Sequence, residues 1–78
     1  MRISLTEMKP GQSGTLVEVL GGHGMEGRLS ALGLRLSKQV RKISSMLMRG
    51  PVIVEVDNVQ IAIGHGMASR LIVEMKHE

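Results

Sequence analysis

Three histidines, seven methionines and a glycine-rich turn are the groups in this chain with chemistry to offer. His23 and His65 each sit between glycines, in Gly22-His23-Gly24 and Gly64-His65-Gly66, so each imidazole stands on a turn where a divalent ion can reach it. Imidazole suits several divalent transition metals, Fe and Zn among them. No histidine makes an i,i+4 pair with another His, Asp or Glu on a helix, and His77 lies in the tail. A structural zinc site takes about four protein ligands. The sequence therefore supports an interfacial or adventitious ion at His23 or His65, beside the plainer reading of both as surface turn residues.

Met46 and Met48 flank Leu47 between two polar stretches. Thioethers are ligands for soft ions; bare methionines on a loop also make an adaptable apolar contact patch. The cluster Gly21-Gly22-His23-Gly24 precedes a helical pattern, as phosphate-cradling loops do. It lacks the Lys-Ser/Thr of a P-loop and the G-x-G-x-x-G spacing of a dinucleotide site, so a tight strand-to-helix turn is the expectation. No serine stands in a nucleophile-elbow context. Glu55 and Asp57 share a strand face opposite Val54 and Val56, which is the solvent side. No catalytic residue is assigned, and the chain reads as a binding domain rather than an enzyme.

Composition narrows the partners. Phe, Tyr and Trp are absent, which removes the stacking platforms that hold single-stranded nucleic acid. The net charge of +3 is spread along the chain without a dense basic block, so nucleic acid is not an expected partner. Cysteine is absent, excluding disulfides and thiolate sites and fitting a cytoplasmic protein. No run approaches the ~18 apolar residues of a membrane span. The length, 78 residues, suits one domain over 1–78.

The elements that must position these groups follow from pattern. Met25, Leu29 and Leu32 recur at i, i+4 and i+7, the face of a helix over residues 24–33. Gly33 supplies the left-handed closure, with Leu34 placed to cover the cap. Ser4-Leu5-Thr6-Glu7 matches a capping box, and Lys9-Pro10-Gly11 is a turn. Thr15–Leu20 is the first strand, with Val17 and Val19 inward. Ser37–Ser44 is the second; its anchors Val40 and Ile43 are three apart, which predicts a bulge. Ser45–Gly50 is a loop. Val52–Val56 and Val59–Ile63 form a hairpin over Asp57-Asn58, both tolerant of positive φ. Residues Met67–Ser69 make one helical turn, and Leu71–Met75 closes the fold. Five short strands, with one short helix inserted after the first, suit a small mainly β barrel. Exposed edges and methionines make self-association into a homo-oligomer plausible.

In order along the chain, Leu5…Lys9-Pro10-Gly11…Gly14, Gly21-Gly22, Arg28-Leu29-x-Ala31-Leu32-Gly33-Leu34, Val40, Gly50-Pro51-Val52 and Ile61-Ala62-Ile63-Gly64…Ala68…Ile72-Val73 resemble the ferrous iron transport protein A (FeoA) family. The resemblance implies an SH3-like barrel and a small cytoplasmic accessory of FeoB, the ferrous iron permease with a cytoplasmic GTP-binding part. Where the family often has Pro-Gly this chain has Leu36-Ser37, so that turn forms without glycine. The family supplies no catalytic set to carry over.

A barrel bare of catalytic groups acts through contact. The surface offered is the helix region around Arg28 and Arg35 together with Met46, Met48 and Arg49. No cofactor is required in this reading. The alternative is a metal-responsive regulatory module in which His23 or His65 binds iron or zinc.

Overall fold

The computed structural model describes residues 1–21, 24–45 and 50–75. Six antiparallel strands form one sheet: β1 (Arg2–Ser4), β2 (Ser13–Val19), β3 (Gln39–Ser45), β4 (Val52–Val56), β5 (Val59–Ile63) and β6 (Leu71–Met75). Their order is β1-β6-β2-β3-β4-β5, and β1 and β5 are its two edges. Helix α1 (Met25–Ala31) follows β2, and the single turn α2 (His65–Ala68) joins β5 to β6. The mainly β expectation holds, with one strand more than the pattern gives. Arg2–Ser4 is only three residues long, too short to show a period, so α1 follows the second strand rather than the first.

Leu5, Leu16, Leu29, Leu34, Leu71 and Val73 make the center of the core, each at most 1% exposed. A buried leucine contributes roughly 1.5–3 kcal/mol, and this packing holds α1 in place, since a helix of seven residues is too short to stand alone. The helix ends in a Schellman closure. Gly33 adopts φ +97°, its N–H reaches Ser30 O at 2.9 Å, and Leu34 N–H reaches Leu29 O at 2.8 Å. That closure corrects the expected stripe: Met25 and Leu29 are buried, but Leu32 is 49% exposed and Leu34 takes its place.

Two bulges set the inward pattern. In β2 the register with β6 shifts between Leu16 and Glu18, so Leu16 and Val19 face the core while Val17, the extra residue, does not alternate with them. In β3 the expected bulge is present between Lys42 and Ser44, with Ile43 half-buried in it. The inward residue beyond Val40 is therefore Lys42, which the alternation of apolar residues conceals.

The turns behave as their residues dictate. Gly11 takes φ +91° after Pro10, and Gln12 N–H closes on Lys9 O at 3.0 Å. Asp57 and Asn58 take φ +51° and +67°, the primed hairpin turn. Val52, Val54 and Val56 are buried as expected; across the hairpin Ile61 and Ile63 are buried, whereas Val59, beside the turn, lies beyond the core and is exposed. Arg35-Leu36-Ser37-Lys38 turns without glycine by holding Ser37 at φ +75°, closed by Lys38 N–H to Arg35 O at 3.2 Å.

Candidate partner-docking face

The surface around α1 gathers most of what the fold leaves without an internal partner. The Schellman closure turns Leu32 outward, and the strand end and the Ser37 turn do the same to Leu20 and Leu36, which are 44% and 45% exposed. Behind them Val19, Glu26, Ser30, Leu34, Arg35 and Leu36 line an open groove of about 300 Å³. Arg35 stands at this groove with its Nε donating to Ser30 Oγ at 3.1 Å. Arg28 is exposed on α1. Arg70, whose carbonyl accepts the Leu20 N–H at 2.7 Å, packs over Gly21, where an added Cβ would meet its Cδ at 3.7 Å.

Charge bookkeeping makes the same face distinct. Lys38 pairs with Asp57 at 2.7 Å, Arg41 with Glu55 at 2.9 Å, and Arg2 with Glu74 at 3.1 Å. Arg28, Arg35 and Arg70 have no acidic partner among the described residues. Arg35 and Leu36 thus line the groove with Glu26, its acidic residue, while Arg28 and Leu32 are exposed on the helix and its cap outside that lining.

The other candidates fare differently. Arg35 lines the groove, whereas Arg28 is exposed on α1 outside that lining. Met46, Met48, Arg49 and His23 lie outside the described residues. His65 opens α2 and is half-buried, its carbonyl accepting Ser69 N–H at 3.0 Å. Among the described residues no group of three or more His, Asp or Glu side chains converges as a metal site needs. Glu55 and Asp57 lie along a polar trough with Ser13, Gln39, Arg41 and Asn58, and each is held by a cation. Sequence reasoning missed Arg70, Leu20 and the groove itself; the available sign was a surplus of leucines at 20, 32 and 36 that no single inward stripe uses.

Among the described residues Lys42 is the buried charge, 1% exposed. Its ammonium donates to Leu5 O at 3.1 Å, Thr6 O at 3.2 Å and Met8 O at 2.6 Å. These are carbonyls of the 3₁₀ turn Leu5–Glu7 and the residue that follows it. Burial pushes the Lys42 pKa below its ordinary value. This lysine is fixed inside the fold.

No helix among the described residues is long and apolar enough to cross a membrane. No curated protein sequence matches the chain. The FeoA domain family model matches residues 3–75. The chain is similar to a crystallized iron uptake regulatory protein (FeoA), 39% identical over 95% of this chain and 96% of that one, with a TM-score of 0.85. A FeoA protein from Chlorobium tepidum shares the fold at 19% identity over 94% of this chain and 70% of that one, TM-score 0.83. So does a manganese-dependent transcriptional repressor, 18% identical, of which the chain covers 42% while 96% of the chain is covered, TM-score 0.87. With the family model spanning residues 3–75 and a full-length relative at 39% identity, this chain belongs to the FeoA domain family.

Proposed function

We propose that this chain is a small cytoplasmic accessory of ferrous iron uptake that docks on the cytoplasmic part of the permease FeoB and modulates transport by contact. The observation that carries this reading is the open apolar groove beside α1, where Leu36 stands exposed and Arg35 has no acidic partner among the described residues, with Arg28 and Leu32 exposed nearby on the helix and its cap. Such a face suits a partner segment carrying both carboxylates and aliphatic side chains, with the charges guiding encounter and the leucines holding the complex. Met46, Met48 and Arg49, expected from the sequence to share in the contact, lie outside the described residues. The family membership and the likeness to an iron uptake regulatory protein support the iron context. The domain needs no resident cofactor and makes or breaks no bond.

Binding of the purified cytoplasmic GTPase part of FeoB, with and without nucleotide and Fe²⁺, is the test. The expected result is saturable binding that Arg28→Glu combined with Arg35→Glu weakens by roughly tenfold or more. Absence of binding in every state, with full-length FeoB also unbound, overturns the reading. A metal-responsive regulator is the second reading; among the described residues only His65 speaks for it, and no observation favors it.

A further inference from the structure

The two edges of the sheet are finished differently. On β1 the strand is three residues long. Arg2 and the N-terminal ammonium are both tied to Glu74, and the Ser4 N–H is taken by the Glu7 carboxylate at 3.2 Å. On β5 there is no such finish. Val59-Gln60-Ile61-Ala62-Ile63 has no charge and no proline, and its register with β4 runs without a bulge. Charge, proline and bulges are the devices by which edge strands avoid pairing with another chain.

The hairpin geometry fixes which groups are left over. With Asp57-Asn58 as a two-residue turn, Val56 and Val59 form the hydrogen-bonded pair, so Val59, Ile61 and Ile63 bond to β4. The N–H and C=O of Gln60 and Ala62 therefore point away from the sheet. Both residues are exposed, and neither has a hydrogen-bond partner outside the sheet among the described residues. Val59 beside them is 59% exposed.

We infer that the occupant of this edge is β5 of a second copy, paired antiparallel about a two-fold axis at Ile61. That register matches Gln60 with Ala62 of the second copy and Ala62 with its Gln60, satisfying every outward N–H and C=O of the two residues at once. No like charges are opposed, since none of the five residues carries one. An edge without charge selects against no sign and offers nothing to recognize a charged foreign strand, whereas its own copy is complementary at every position. Two five-residue strands bury far less than the ~1,600 Å² of a standard interface, so the dimer is weak. The pairing uses neither Arg28 nor Arg35, so it stands or falls separately from docking on FeoB.

Sedimentation equilibrium of the full chain from about 10 µM to 1 mM, with amide exchange followed by NMR over the same range, tests the pairing. The expected result is a monomer–dimer equilibrium in which the Gln60 and Ala62 amides gain protection as concentration rises. Ala62→Pro removes an outward N–H without touching the β4 ladder and weakens the dimer at least tenfold. Ala62→Lys does the same by setting two ammonium groups diagonally across the dyad, and it serves if the proline variant fails to fold. A monomer throughout, or a dimer that folded Ala62→Lys leaves unchanged, overturns the inference.

Discussion

The Lys42 ammonium donates to the Met8 carbonyl at 2.6 Å, tying the inward face of β3 to the segment that leaves the 3₁₀ turn Leu5–Glu7. With Leu5 O and Thr6 O it completes the hydrogen-bonding of a buried cation, and the same three bonds satisfy carbonyls that the end of a short helix leaves over. Lys42→Met fills the volume but orphans the Thr6 and Met8 carbonyls. At about 1–3 kcal/mol for each unsatisfied group, partly offset by relief of the buried charge, the variant loses about 2–4 kcal/mol. Urea unfolding measures this, and amide exchange at Leu5–Met8 shows where the loosening begins. A variant as stable as the parent contradicts the role.

The same burial lowers the Lys42 pKa. A lysine that releases its proton more readily folded than unfolded makes the unfolded state the better proton binder between the two pKa values. Stability from this group therefore rises with pH across that window and is flat below it. An NMR titration of the Lys42 side chain is expected to give a value below that of an ordinary lysine.

Glu74 behaves in the opposite sense. The N-terminal ammonium first, then Arg2, hold its carboxyl below the usual range. Its contribution is present above the ordinary carboxylate pKa and is lost as pH falls through the lowered one. The pair is exposed, so the effect is local: the Ile3 amide, the one of β1 that bonds to β6, is expected to lose protection in acid. In Glu74→Gln that acid dependence disappears while β1 is already looser at neutral pH.

Ser37 holds φ +75° at the third position of its turn, where glycine carries no penalty. A left-handed non-glycine residue costs about 1–2 kcal/mol, and glycine returns roughly half of that as unfolded-chain entropy. Ser37→Gly is thus expected to stabilize the fold by about 0.5–1 kcal/mol, measured as a raised urea midpoint at unchanged slope.

What was legible in the sequence followed from local rules that tertiary packing does not override. The Gly33 closure, the Pro10-Gly11 turn, the Asp57-Asn58 hairpin and the bulge near Ile43 each rest on backbone chemistry within a few residues. The inward placement of Lys42 rests on carbonyls more than thirty residues away, and no periodicity reports that. Leu32 and Leu34 exchanged roles because the helix ends before its apolar stripe does. Arg28 and Arg35 were legible as charges in and just after the helix, whereas Arg70 stands near its start only because β6 begins beside Gly21.

One substitution made at two glycines separates packing from propensity. At Gly14, where β2 pairs with β6, a Cβ would stand 2.6 Å from the Glu74 carbonyl oxygen and run into the Val73 side chain. Neither neighbor yields: one is backbone, the other is wholly buried. Gly14→Ala is expected to cost about 2–3 kcal/mol through overpacking. At Gly27, inside α1, nothing lies within 4 Å of the same atom and φ is helical. Gly27→Ala there gains roughly 1 kcal/mol of helix propensity. Opposite signs in parallel urea titrations are the expected outcome; equal signs contradict either the close approach of β2 to β6 or the helical state of α1.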